Sequence, residues 1–188
     1  DVFTIHGGND MSETILVTGA SAGFGQAICR RLVADGYRVI GSARRIDKLQ
    51  ALQEELGEAF YPLQMDVTDL SQVDHALASL PKAWERVDVL VNNAGLALGL
   101  APAYEAEVAD WLTMIQTNIV GLTYLTRKIL PQMVERNDGY IINLGSTAGT
   151  VPYPGANVYG ASKAFVKQFS LNLRADLAGK KIRVSNIE

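Results

Sequence analysis

TILVTGASAGFGQAI, residues 14–28, opens as a short run of β-branched and aliphatic residues and closes as the start of an amphipathic helix, with glycines at 19, 23 and 25 in between. A strand that turns through glycines straight into a helix has a specific use. Glycines permit a tight turn and let the backbone approach a pyrophosphate closely. The N–H groups at the helix start then face the phosphate charge. The spacing is G-x-x-x-G-x-G rather than the generic G-x-G-x-x-G, but the physics is shared. A plain glycine-rich connection is the bland alternative, and its place after the first strand favours a dinucleotide site. No Gly-Lys-Ser/Thr follows, which argues against a P-loop.

Outward from this stretch the chain alternates between short apolar runs and amphipathic segments. Strands are expected at 14–18, 37–42, 59–65, 87–91, 140–145 and 182–187. Most are aliphatic on both faces, as strands covered on each side by helices must be. Helices are expected near 24–35, 46–56, 70–79, 107–135 and 157–178. Asp69 and Ser71 suit the start of the third, and Gly36 and Gly179 the ends of the first and last. The alternation predicts an α/β fold, a doubly wound parallel sheet in three α/β/α layers, with ligands bound along the edge formed by the strand C-termini.

The 188 residues suit one domain with a sizeable core. A net charge of −3 with no long basic run argues against nucleic acid as a partner, and no apolar run is long enough to span a membrane. With one cysteine, Cys29, no internal disulfide can form, so a reducing, cytoplasmic setting is expected. Cys29 reads as packed core and His75 as exposed. His6 and His75 lie too far apart for a local metal motif, and no metal is expected. Residues 1–10 read as an expression remnant ahead of a natural start at Met11, with a native extension as the alternative. Residues 11–188 form the nucleotide-binding domain, and a chain stopping at Glu188 just after a strand reads as cut short.

The second strand ends GSARR, residues 41–45. In NAD-binding proteins an acidic residue here takes the ribose 2′-OH. Ala43 stands in its place, followed by Arg44 and Arg45, whose guanidinium groups match a 2′-phosphate. The cofactor expected is therefore NADP, with Arg44 the better candidate. The alternative is two arginines opening a solvated helix.

Tyr159 and Lys163 in VYGASKAF, residues 158–165, sit one helical turn apart and so share a face. Seven tyrosines and seven lysines in 188 residues would give about 0.26 such pairs by chance, so spacing alone is weak evidence. A second pair, Tyr124 and Lys128, does occur.

Taken together, TGASAGFG (18–25), Asp66 in MDVTD, NNAG (92–95), Asn118 in TNIVG, Ser146, and Tyr159 with Lys163 resemble the short-chain dehydrogenase/reductases in order and spacing, over about residues 13–188. NNAGLALG, LPQMVERNDGYIINLGSTAG and NVYGASKAFVKQFSLNLRADL resemble more narrowly the NADP-dependent 3-hydroxy acid dehydrogenases. Members of that group act on L-serine, L-allo-threonine and related 3-hydroxy acids, or reduce malonic semialdehyde. The resemblance selects between the two pairs: Ser146 precedes Tyr159 by thirteen positions, where Tyr124 has Trp111.

The resemblance implies the following roles. Tyr159 is the general acid/base. A free tyrosine titrates near pH 10, and bringing it to about 7 needs roughly 4 kcal/mol, to which a lysine ammonium and a cationic nicotinamide both contribute. Ser146 holds the substrate oxygen, Lys163 also bonds the nicotinamide ribose, and Asn118 holds a water for proton relay. Gly19, Ser21, Gly23, Phe24 and Gly25 cradle the pyrophosphate. Asp66 contacts adenine beside Val67, and Asn92, Ala94 and Gly95 line the cofactor, Asn92 also bracing its strand. Tyr153 and Asn157 are candidate substrate residues. Trp111, Met114 and Ile115 read as core or subunit contact. The two long helices, with Phe165, Phe169 and Leu173, fit a homo-oligomer, dimer or tetramer, and equally a sheet-facing stripe. Family members continue with a substrate-covering loop and helix and a last strand. Three functions remain open: a 3-hydroxy acid dehydrogenase, a broader NADPH carbonyl reductase, and a non-catalytic dinucleotide-binding protein, against which the Ser146–Tyr159–Lys163 set argues.

Overall fold

A computed structural model describes residues 13–188. The stretch read as a remnant lies outside the described residues. Strands β1 (Thr14–Thr18), β2 (Arg38–Ala43), β3 (Phe60–Gln64), β4 (Val89–Asn92), β5 (Gly139–Leu144) and β6 (Ile182–Ile187) form one sheet in the order β3-β2-β1-β4-β5-β6. Every pairing is parallel. Connecting them are α1 (Gly23–Ala34), α2 (Ile46–Leu56), α3 (Leu70–Ala78), α4 (Val108–Ile115), α5 (Leu122–Arg136) and α6 (Asn157–Asp176). This is the expected doubly wound sheet. The order reverses between β1 and β4, so a crevice opens there at the strand C-termini.

Residue alternation along each strand builds a separate core on each face. Leu16, Ile40, Leu90 and Ile141 point to one side and pack with Val73 of α3, Leu125, Ile129 and Met133 of α5, and Leu173 of α6. Ile15, Val17, Val39, Val91 and Ile142 point to the other, against Cys29 and Leu32 of α1 and Leu49 and Leu52 of α2. Leu173 is thus sheet-facing and Phe169 packs against the same core, while also stacking at 5.7 Å on Phe165, which is 36% exposed.

Helix ends follow the sequence closely. Asp69 caps α3 by accepting from the Gln72 N–H at 3.0 Å. The Tyr37 N–H reaches back to Leu32 O and that of Gly36 to Val33 O, the double bond of a glycine-closed helix end. The stretch expected as one helix over 107–135 differs in its middle. Gln116–Gly121 is a π-helical segment joining α4 to α5 without a break in direction. A widened turn shifts the helical phase, and such turns are frequent at functional sites. Here it lets Gly121 lie against the Val67 backbone, where a Cβ would sit 2.7 Å from Val67 O.

Leu90 is fully buried in the middle of the sheet. Its replacement by alanine is expected to lower stability by about 2–5 kcal/mol in urea unfolding, through lost apolar burial plus a cavity. Cys29 is also fully buried, and burial pushes its thiol up to about 12. The folded protein is expected to resist iodoacetamide at pH 8, with labelling appearing only as urea unfolds the chain. Rapid native labelling would contradict the core placement.

Candidate active site

The turn after β1 is shaped by backbone contacts that exclude side chains. Gly19 has φ +68, a left-handed conformation that strains any residue with a Cβ. A Cβ on Gly25 would collide with the Gly19 carbonyl, so the first turn of α1 is pressed onto the loop. The next strand holds this loop from below. Asn93 Nδ2 donates to Thr18 O at 2.9 Å, and Thr18 Oγ1 accepts from the N–H groups of Asn93 and Ala94 at 3.0 and 2.8 Å. The N-cap residue of α1, Ala22, offers no side-chain acceptor, so the helix N–H groups stay available to an anion.

A groove of about 500 Å³ runs from this turn across the ends of β2 and β3. Gly19, Ser21, Gly23, Phe24, Arg44, Arg45, Asp66, Val67, Ala94 and Gly95 all line it, as the sequence leads one to expect. Arg45 Nη2 donates to Ser21 Oγ at 3.1 Å, and Arg44, also on the groove, is exposed. The Asp66 carboxylate accepts from the N–H and hydroxyl of Thr68 at 2.9 and 2.7 Å, which fixes the turn presenting Val67. On the groove floor Ser42 Oγ is buried and has no hydrogen-bond partner. A turn with glycines at its tight points, free helix N–H groups, two arginines on the groove and an orphaned hydroxyl together fit a phosphate-bearing dinucleotide.

A second groove, of about 620 Å³, adjoins the first and shares Phe24, Asn93, Gly95 and Leu96 with it. One end runs over apolar sheet residues such as Ile15, Val91 and Ile142. The other holds Ser146, Tyr159 and Lys163. Ser146 follows β5 in extended conformation and caps the short turn Thr147–Gly149, its Oγ accepting from Ala148 N–H at 3.1 Å. That leaves the hydroxyl proton to donate. Tyr159 lies in the first turn of α6. Lys163 is 8% exposed; its Nζ donates to Leu144 O at 2.8 Å and lies 5.9 Å from the Tyr159 ring centre. Burial lowers the pKa of Lys163, and the carbonyl is a partner for its charged form.

Asn118 sits in the π-helical segment, 1% exposed. Its Oδ1 accepts from Leu96 N–H at 3.0 Å, and its Nδ2 donates to Leu96 O at 2.9 Å and Ser162 Oγ at 3.0 Å. A Cβ on Gly95 would stand 3.3 Å from Asn118 Oδ1 and 3.4 Å from Lys163 Nζ, so the three residues meet at one point. The competing pair resolves differently: Tyr124 OH and Lys128 Nζ both bind Asp74, each at 2.8 Å, as a surface cluster.

Five expected site residues line neither groove: Gly25, pressed onto the Gly19 carbonyl, Asn118, held as described, and three more. Asn92 is 3% exposed and lines neither groove; its Nδ2 donates to Thr126 Oγ1 at 3.0 Å and Asn143 Oδ1 at 2.8 Å, so only the bracing half of its expected role fits. Asn93 is the asparagine on the grooves. Period-two alternation carried the signal, since it puts Asn92 on the same inner face as Leu90. The Asn157 amide is likewise committed. Its Oδ1 accepts from Trp111 Nε1 at 3.0 Å and its Nδ2 donates to Ala101 O at 3.0 Å, beside a separate cavity of about 170 Å³. Asn157 therefore ties the start of α6 to Trp111 of α4 and to the loop at Ala101. Tyr153 is 43% exposed and borders neither groove. Among the described residues no cluster of three His, Cys, Asp or Glu side chains could hold a metal, and no helix is long and apolar enough to cross a membrane.

The sequence model of the family described as short chain dehydrogenase matches residues 13–188. The NADP-dependent 3-hydroxy acid dehydrogenase YdfG of Salmonella typhi is 60% identical over 174 residues, which are 93% of this chain and 70% of that protein. The serine 3-dehydrogenase of Agrobacterium fabrum is 52% identical over 178 residues, 95% of this chain and 71% of that one. The closed form of serine dehydrogenase complexed with NADP+ superposes with a TM-score of 0.92 at 58% identity, covering 93% of this chain and 71% of that structure. With this geometry and these likenesses, the chain belongs to the short-chain dehydrogenase family.

Proposed function

We propose that the protein is an oxidoreductase that transfers a hydride between NADP(H) and a small 3-hydroxy acid or its 3-oxo partner, with L-serine, L-allo-threonine and 3-hydroxypropionate as the substrate class. The observation that carries this is one cleft holding Ser146, Tyr159 and a buried Lys163 directly beside the phosphate cradle. Relatives named for NADP-dependent 3-hydroxy acid and serine dehydrogenation, at 52–60% identity, support the choice of cofactor and substrate class.

NADP, when bound, supplies the hydride chemistry. The residues of the chain do the rest. The turn from Gly19 to Gly25 and the start of α1 hold the pyrophosphate, and Arg44 meets the 2′-phosphate as a charge-assisted donor. Ser146 donates to the substrate oxygen and stabilises charge developing there. Tyr159 takes the hydroxyl proton in oxidation and returns it in reduction, with Lys163 Nζ 5.9 Å from its ring centre on the same helix face. Asn118 and Gly95 hold the wall against which Lys163 lies. Copies of the chain associating through α4, α5 and α6 fit the half-exposed Phe165–Phe169 stack on α6.

One observation favours a second reading, a broader NADPH carbonyl reductase. Among the described residues lining the Tyr159 groove, Lys163 is the only cation, and Leu144 O already engages it. A neutral ketone needs no counter-charge there. Turnover of L-serine, L-allo-threonine, 3-hydroxypropionate and simple ketones, each with NADP(H) and NAD(H), separates the two readings; clear preference for ketones would remove the first. Tyr159→Phe is expected to cut kcat by about 100-fold or more while cofactor affinity stays, and an unchanged rate would contradict the base assignment. Arg44→Ala is expected to raise the KM for NADP by about tenfold and leave that for NAD nearly unchanged, the loss of one charge-assisted contact. Equal effects on both cofactors would refute the 2′-phosphate role.

A further inference from the structure

We propose that Ser162 is a positioning residue that sets the Tyr159–Lys163 turn of α6 against the wall of the cleft, through a hydrogen-bonded path from Leu96 by way of Asn118 to the Tyr159 carbonyl. The proposal rests on the catalytic reading of Tyr159 given above.

Ser162 is 1% exposed and lines neither groove, so it touches no ligand. Its Oγ donates to Tyr159 O at 2.7 Å and accepts from Asn118 Nδ2 at 3.0 Å. A mid-helix serine bonding back to its own helix is mildly unfavourable and tends to bend the axis. The contact it makes is therefore better explained by what lies at its other end. Asn118 cannot rotate away, because both Leu96 backbone groups hold its amide. Leu96 follows Gly95, the point where Asn118 Oδ1 and Lys163 Nζ converge. One hydroxyl thus joins the loop after β4, the π-helical segment and the first turn of α6. Helix geometry makes the same Tyr159 carbonyl the acceptor for the backbone N–H of Lys163. A shift of that carbonyl moves both members of the pair.

Ser170 provides an internal comparison. It is also 1% exposed, bonds back to Val166 O at 2.8 Å and accepts from Asn143 Nδ2 at 2.9 Å. It offers the same chemistry two turns further along α6, away from the Tyr159 carbonyl. Losing either hydroxyl should cost similar stability; only the loss of Ser162 should disturb the phenol. The other titratable groups lining the Tyr159 groove are Lys163 and Glu188, the latter paired with Lys167 at 3.1 Å, and the Ser162 hydroxyl bonds to neither, its partners being Asn118 and Tyr159 O.

The test records 13Cζ-tyrosine NMR spectra of the full chain at one fixed pH, with the Tyr159 signal assigned by its absence in Tyr159→Phe, alongside kcat and KM for alcohol oxidation. Ser162→Ala is expected to displace the Tyr159 resonance and to lower kcat about tenfold, with the KM for NADP within about twofold of wild type. Ser162→Thr, which keeps the hydroxyl, should restore both. Ser170→Ala should lower the thermal midpoint comparably and leave the resonance and kcat alone. An unmoved Tyr159 resonance in Ser162→Ala, or an equal displacement in Ser170→Ala, overturns the positioning role. Failure of the catalytic reading is distinguishable, because it would appear as wild-type kcat in Tyr159→Phe.

Discussion

The ammonium of Lys163 resting on the Leu144 carbonyl is the contact around which the rest is arranged. An amine at 8% exposure loses most of its hydration, so it needs a partner at close range and a reason to be there. The partner is the last residue of β5, and reaching it requires α6 to lie almost against the strand end. Two glycines make that approach possible. A Cβ on Gly149 would stand 2.7 Å from the backbone at Lys163 and Ala164, and one on Gly160 would stand 2.8 Å from Ala148 O. The turn after β5 and the start of α6 are thus packed backbone to backbone. Ser146, which caps that turn, and Tyr159, which opens that helix, are brought into one groove as a consequence.

A second constraint comes from the sheet. With β1 and β4 adjacent and their helices on opposite faces, the loops leaving them part and the two grooves join between them. Thr18, Gly19, Asn93 and Ala94 stitch the two loops together just below the opening. The glycine turn and the loop after β4, which borders both grooves, therefore belong to one hydrogen-bonded frame.

Much of this was legible in the sequence because it is local or periodic. β1, α2 and β6 begin and end where the apolar pattern puts them, and the glycine turn reads from its place straight after the first strand. What escaped depends on contacts across long separations. The π-helical segment needs Val67 and Leu96 to explain it, 54 and 22 residues from their partners Gly121 and Asn118. Asn157 reads as a substrate candidate from its place in the stretch after Ser146; the indole that its side chain binds, Trp111, lies 46 positions away. The choice between Asn92 and Asn93 was open to a stricter use of alternation, which separates a strand's inner face from its end. The Tyr–Lys pair on α6 could not be told from that on α5 by spacing, only by what precedes it.

The core beneath the site carries polar groups that an apolar packing would not require. Asn92, Thr126, Asn143 and Ser170 are each 3% exposed or less, and their hydrogen bonds run in sequence from β4 through β5 to α6. Apolar contacts tolerate small slips with little penalty, whereas a buried amide left unpaired costs about 1–3 kcal/mol. Such a network favours one docking of the middle of α6 on β5, and the stability given up by burying amides in place of leucines is a cost of that docking. The Tyr159–Lys163 turn, two turns earlier, makes its own contacts, to Leu144 O and through Ser162 to Asn118.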